Sequence, residues 1–279
     1  MPKEQKFGTA DRQYKEPPEV VQAFGENGRN HLSKEFKAQF LLAILAGSFM
    51  TFGAVFSILL ATGVEAKGLY YLLSGLGFTA AYVMVFLSGA VLFTEINILL
   101  PSYLFRKPSV YFMPIVRFWF ATYIGNMVGA LFVAAVIQLS GSLTPEFYGE
   151  LQVYLSDKMK FKEAGGIGWF QVVLSGILAN WLIGMASFLT TAARDVTGKV
   201  VATALPVILF VAGNFQHSAA NMGYFSMGVF SDTEHAWYEY LLFNLVPASI
   251  GNLIGGALLV SLLFLFAYRE ELRDGDGIE

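Results

Sequence analysis

Apolar residues run along this chain in six long blocks, approximately 38–62, 70–100, 113–139, 169–192, 200–230 and 237–268, each bounded by charged or turn-forming residues. A helix needs about 20 mainly apolar residues to cross roughly 30 Å of hydrocarbon. Every block is long enough, and none alternates with the period of two that membrane strands require. The pattern predicts an all-α integral membrane protein with six transmembrane helices. Two blocks are interrupted. In the fifth, the run Gly213-Asn214-Phe215-Gln216-His217-Ser218-Ala219-Ala220-Asn221-Met222 leaves two flanks, neither long enough to cross alone. Polar groups near mid-membrane cost several kcal/mol unless compensated, and broken backbone there is tolerated only when buried in protein or lining a polar path. The second block is too long for one perpendicular helix and contains Ser88-Gly89-Ala90-Val91-Leu92-Phe93-Thr94-Glu95-Ile96-Asn97. Both blocks read as broken helices. Pro101 is expected to end the second, and Arg106-Lys107-Pro108 to turn the chain.

The third and sixth blocks repeat a motif. Ile124-Gly125-Asn126-Met127-Val128-Gly129 matches Ile250-Gly251-Asn252-Leu253-Ile254-Gly255. Each GxxxG alone signals close helix packing; the pair signals a duplication. Leu45-Ala46-Gly47 and Leu174-Ser175-Gly176 echo each other in the first and fourth blocks. Three spans per half is an odd number, so the second half enters from the opposite face. The expected architecture is an inverted 3+3 repeat, halves 38–139 and 169–268, with broken helices 2 and 5 facing each other near the midplane. Residues 1–37 form a polar N-terminal segment whose Pro17-Pro18-Glu19 starts a short amphipathic interfacial helix. Residues 38–268 form the channel domain and 269–279 a tail. The connection 140–168 reads as a partly helical lid or a spacer.

Charge orients the chain. Lys67, Lys158, Lys160 and Lys162 fall on one side, and the rest of the 18 lysines and arginines, among them Arg117, Arg194, Lys199, Arg269 and Arg273, fall on the side of the termini. The positive-inside rule puts both termini in the cytoplasm, with a bacterial inner membrane as the expected bilayer. No signal-peptide pattern precedes the first block, so that span is expected to be retained. A chain that is 55% hydrophobic with no cysteine has no thiolate nucleophile or disulfide framework. No metal-ligand cluster or phosphate-binding glycine loop is present, so neither enzyme chemistry nor a cofactor is expected. Charge and motif give no support for nucleic-acid binding.

His217 is the candidate centre of any mechanism. A dry site favours the neutral ring and an anion favours imidazolium, so anion binding and proton uptake would be coupled. Thr94, in the corresponding stretch of the other half, offers a hydroxyl for a solute or for a helix cap. Asn180 and Asn221 bond a solute or tie helices together. The positive N-terminal ends of the half-helices favour anions with no lysine in the pore.

The segment Phe215 to Met222, with Leu92-Phe93-Thr94, the repeated Ile-Gly-Asn and Asn180, resembles the formate/nitrite transporter family over nearly the whole membrane portion. The resemblance implies an aquaporin-like protomer, a homopentamer with one pore per protomer, and passage of small monovalent anions such as formate, nitrite or hydrosulfide. It maps the family's central histidine to His217, its loop threonine to Thr94 and its aromatic constrictions to Phe78 and Phe210. Three positions depart from the family pattern. Gln216 stands where an acid usually precedes the histidine, Val91 replaces another acid while Glu95 follows Thr94, and Ala164 with nearby Lys162 stands where some members have a vestibule lysine. A neutral-solute channel on the same fold, or a non-conducting membrane scaffold or sensor, are the alternatives.

Overall fold

In the computed structural model, residues 12–106, 112–231 and 233–276 are described, and the expected turn at Lys107-Pro108 lies outside them. The chain is helical almost throughout: α1 Pro17–Leu32, α2 Phe36–Ala61, α3 Lys67–Ser88, α4 Phe93–Arg106, α5 Phe112–Ser140, α6 Pro145–Met159, α7 Gly165–Ala192, α8 Val196–Ala212 and α9 Ser218–Val229. Then come α10, Trp237–Ala267, and a short α11, Arg269–Asp276. Five helical stretches among the described residues are long and apolar enough to cross a membrane. The fifth block, expected as one crossing made of a broken helix, is divided between the shorter α8 and α9, and the second between α3 and α4.

Small residues set the helix crossings. An added Cβ at Gly47 or Gly129 would strike the backbone of Asn126 or Ile44, so α2 and α5 touch main chain to main chain. In the second half Gly176, Gly251 and Gly255 do the same between α7 and α10, against Ala248, Val173 and Ile177. The repeated motif therefore marks the same crossing in each half, driven by close packing where no water-exclusion force exists between lipid-immersed helices.

Each half also carries a covering helix. α1 packs Val20, Val21 and Phe24 with Ile98 and Leu99 of α4, and Gly28 lies against the Leu99 carbonyl. α6 covers α9 in the same way, with Leu155 against Gly228 and Tyr154 stacked on Tyr224 at 4.3 Å. The connection 140–168 is thus the second half's counterpart of α1. Large apolar side chains such as Phe52, Leu76, Phe132 and Leu205 stay exposed on the outer surface, the composition of a surface that meets hydrocarbon.

Pro101 does not end a helix, as expected from its sequence context, but lies inside α4. A proline removes one helical hydrogen bond and crowds the turn before it. Here the next residue's N–H is satisfied from outside: Ser102 N donates to Ser261 Oγ at 3.0 Å. Helix breakers persist in membrane helices when a neighbour bonds the freed backbone in this way.

Candidate functional site

The backbone leaves helical geometry at 89–92 and at 213–217. Gly89 turns the first break with φ 72° and Asn214 the second with φ 50°, left-handed values that glycine takes freely and asparagine tolerates best among other residues. One asparagine holds each break. The Asn126 amide donates to Ala43 O at 2.8 Å and Val91 O at 2.9 Å, and its Oδ1 accepts from Phe93 N at 2.9 Å. The Asn252 amide donates to Gly176 O at 2.8 Å and Gln216 O at 3.1 Å, and its Oδ1 accepts from Ser218 N at 2.8 Å. Each clamp therefore ties the neighbouring span, the break and the first N–H of the half-helix. The composition of the clamp explains why the repeated motif is Ile-Gly-Asn: the glycine brings the helices together and the asparagine bonds what the break exposes.

His217 stands at the head of α9. Its Nδ1 accepts from Ala220 N at 3.2 Å, and Tyr82 Oη lies 3.2 Å from Nδ1 and 3.3 Å from Nε2. The ring is fully buried. Phe78 and Phe210 meet edge to face with centroids 6.0 Å apart, and Phe210 lies 5.6 Å from the imidazole. Tyr82 touches both phenylalanines, and Tyr224 stacks on Phe78 at 5.4 Å. The aromatic pair and the histidine expected to lie together do so, and two tyrosines complete the cluster.

Gln216 points away from the imidazole into a polar network. Its Oε1 accepts from Asn221 Nδ2 at 2.9 Å and Asn244 Nδ2 at 3.0 Å, while its Nε2 donates to Asn214 O at 3.0 Å. Asn244 comes from a π-helical turn, Leu241–Leu245, just before Pro247, where the missing proline N–H favours a widened turn. A carboxamide uses both its acceptor and its donor here, which a carboxylate has no hydrogen to do.

In the other half, Leu92 packs in the same core cluster as Phe78, Tyr82 and Phe210. Thr94 lies in the first turn of α4, fully buried, with no hydrogen-bond partner for its hydroxyl among the described residues. Its carbonyl accepts from Asn180 Nδ2 at 3.2 Å, and the same amide reaches Asn252 O at 2.6 Å. Asn180 therefore joins the two halves. Glu95, in the first turn of α4, donates its backbone N–H to Leu92 O at 3.1 Å. It also lines a cavity of about 640 Å³ beside the first break, shared with Gly89, Lys15, His31, Arg194 and Lys199. The strap before α1 closes onto this region, Lys15 N donating to Ala192 O at 2.8 Å.

On the opposite face, Lys158 is only 2% exposed and donates from Nζ to Phe215 O at 3.3 Å. Lys162, the lysine nearest the expected vestibule position, is instead paired with Glu239. Lys158 was not singled out by any motif. Its signal is the stripe Phe147, Leu151, Leu155, Lys158, the buried face of α6, in which the lysine replaces an apolar residue. Asn126, Asn252 and Tyr82 were also missed, although the repeated motif contains the first two. Among the described residues no group of three or more His, Asp or Glu is arranged to hold a metal ion.

Comparison with known proteins bears on this geometry. The chain is 32% identical over 247 residues to a probable formate transporter of Methanothermobacter thermautotrophicus, covering 83% of this chain and 89% of that one. It is 29% identical over 282 residues to the formate channel FocA of Escherichia coli, covering 93% and 95%. Among solved structures it superposes on an FNT family ion channel with a TM-score of 0.78 at 20% identity, over 89% of this chain and 98% of that one. A pentameric formate channel with formate bound gives 0.69 at 24% identity, over 84% and 98%. At these identities the structural likeness establishes the fold. The sequence profile described as formate/nitrite transporter matches residues 18–266, and the chain belongs to that family of multi-pass membrane transporters and channels.

Proposed function

We propose that the chain is a pore for small monovalent anions of weak acids, with formate the first candidate and nitrite and hydrosulfide next, coupled to protons through His217. The observation that carries this reading is the pairing of two half-helix heads at one aromatic closure. α9 presents His217, and α4 presents a buried Thr94 hydroxyl that no group among the described residues satisfies. A buried unpartnered hydroxyl needs an explanation, and a permeating acceptor supplies one. Half-helix heads add partial positive charge toward that acceptor.

In this reading Phe78 and Phe210 strip water from the anion, Leu92 narrows the passage, and Thr94 and His217 bond it. Gln216, Asn221 and Asn180 hold the polar backing, and Glu95 lines the inner mouth. Lys158 draws the anion from the outer side. Both termini are cytoplasmic, residues 38–268 form the channel domain between an N-terminal segment, 1–37, and a tail, 269–279, and five protomers assemble in the bilayer of a bacterial inner membrane. No catalysed reaction and no cofactor belong to this reading.

The test is flux in proteoliposomes of purified protein, comparing formate, nitrite, hydrosulfide, chloride and glycerol at pH 5 and pH 7.5, with His217→Asn alongside. Anion flux whose pH dependence changes in the variant supports the reading. Glycerol flux without anion flux would replace it with a neutral-solute channel.

A further inference from the structure

The cavity beside the first break is larger than a small monovalent anion needs. Its volume is about 640 Å³, within the range of about 300–1,000 Å³ typical of pockets that hold a small organic ligand, whereas one water takes only about 30 Å³ of the liquid. Its wall is of two kinds. Val85, Phe86 and Leu99 are apolar, and Lys15, Arg194 and Lys199 are cationic. Among these cations, Arg194 lies 4.0 Å from Glu19, while Lys15 and Lys199 line the cavity with no ion-pair partner among the described residues. Glu95 is the single carboxylate among the described residues of the wall. His31 adds no charge at neutral pH, because burial, with Lys34 nearby, lowers its pKa from 6.5 to about 4.

The two ammonium groups grow from one junction of backbone. Lys15 N donates to Ala192 O at 2.8 Å, and Tyr14 forms an antiparallel bridge with Ala193. A few residues on, Asp195 caps α8: its Oδ1 accepts from Gly198 N at 2.9 Å, and its carbonyl accepts from Lys199 N at 3.1 Å. The main chain beneath both lysines is therefore fixed before any ligand arrives, which leaves a ligand little to order.

We propose that this cavity is a second binding site, which takes a short aliphatic dicarboxylate with one carboxylate on Lys15, the other on Lys199, and its carbon chain against the apolar wall. A monocarboxylate satisfies one ammonium and leaves the other bare. Inorganic phosphate brings no carbon to cover Val85, Phe86 and Leu99. Gly89 of the first break belongs to the same wall, so an occupant lies across this end of the path proposed for the small anion and blocks it. The block rests on the anion-pore reading; the site itself does not.

The test is calorimetric titration and thermal unfolding of the full chain in detergent at pH 7.5 and constant ionic strength, with succinate as the probe. Succinate is expected to bind saturably, once per chain, and to raise the melting temperature; butyrate and inorganic phosphate should bind at least about tenfold more weakly. Lys15→Gln and Lys199→Gln should each weaken succinate about tenfold, the worth of one charge-assisted hydrogen bond, and the double variant should hold it no better than butyrate. Asn27→Asp, which sets a carboxylate in the wall and keeps both lysines, should weaken it likewise and serves if a lysine variant does not fold. In proteoliposomes with succinate on both faces, formate flux should fall and recover in the double variant. Absence of saturable succinate binding overturns the proposal, as does equal binding of butyrate or phosphate, or full affinity in the double variant. Succinate binding that leaves a measurable formate flux unchanged overturns the block. The titrations need no transport, so their failure is distinct from failure of the anion-pore reading.

Discussion

At 89–92 and 213–217 the two halves solve one backbone problem with one device, an asparagine two residues into a repeated Ile-Gly-Asn that bonds a neighbouring carbonyl, a break carbonyl and the first half-helix N–H. Beyond the clamp they part. The first break carries Leu92 at the head of its half-helix and an unpartnered Thr94; the second carries a histidine cap and the Gln216, Asn221 and Asn244 network. Their covering helices differ likewise: α1 meets α4 through apolar side chains and Gly28, whereas α6 brings Tyr154 and a buried Lys158 to α9. What the halves share builds the fold, and what only one half has is where the proposed pore chemistry lies.

The sharpest way to break this comparison is to remove the clamps. Asn126→Ala removes the acceptor of one buried N–H and one bond to each of two carbonyls, and Asn252→Ala does the same and also removes the acceptor of the Ser218 hydroxyl, at about 1–3 kcal/mol per unsatisfied group. Both are expected to lower the melting temperature strongly and by similar amounts in detergent. If one variant melted like the wild type while the other collapsed, the two clamps would not be equivalent.

Next in size is a contrast between two threonines. Thr51 donates from its buried hydroxyl to Ala130 O at 3.0 Å, while the Thr94 hydroxyl bonds nothing among the described residues. Thr51→Val should cost stability, about 1 kcal/mol for the bond, and little flux. Thr94→Val should leave stability nearly intact and reduce formate flux about tenfold, the worth of one good hydrogen bond. Paired thermal and flux measurements check the two; equal thermal losses would make Thr94 structural.

Gln216→Glu, which exchanges the carboxamide for a carboxylate, should act more weakly. The carboxylate keeps the two bonds accepted from Asn221 and Asn244 but loses the donor to the Asn214 carbonyl. A modest drop in melting temperature that grows as pH rises is expected, because ionisation sets the second oxygen against that carbonyl. A variant more stable at high pH than at low would mean that the charge finds a cation, with Lys158 the nearest candidate.

The sequence carried the long-range plan because the plan is written in periodicity and repetition. Six apolar blocks, two polar interruptions and a duplicated Ile-Gly-Asn each leave a one-dimensional trace. Phe78, Phe210 and His217 converge as the family pattern implied. Tyr82 and Asn244 left no such trace, and Lys158 left only its place in the apolar stripe of α6. Each takes its role from a neighbour distant in sequence: Phe215 lies 57 positions from Lys158 and His217 lies 135 from Tyr82. Pro101 misled for a related reason, since the donor it orphans is satisfied by Ser261, on α10. Local rules describe what a residue needs and not who supplies it.

The smallest effect concerns the ends of the covering helices, where α6 finishes on Lys158 and α1 on His31. His31 lies in the wall of the cavity beside the first break, outside the membrane-spanning helices, and its Nδ1 has no hydrogen-bond partner among the described residues. Burial, with Lys34 nearby, lowers its pKa from 6.5 to about 4. The sign of the linkage follows. Between these values the docked ring is neutral while the same ring, released into water, takes up a proton. The stability of α1 on α4 is then fully present above about pH 6.5 and is lost progressively as pH falls toward 4. Lys158 bonds a carbonyl and does not titrate across that range in the released state, so α6 should hold through the same interval. Limited proteolysis of α1 and α6 at pH 6.5 and pH 5 would compare them, with faster cleavage expected only in α1 at the lower pH. His31→Gln, which cannot titrate, should remove the difference. Cleavage of α1 that accelerates equally in His31→Gln would assign the pH response to another group and leave the two covering helices alike in this respect.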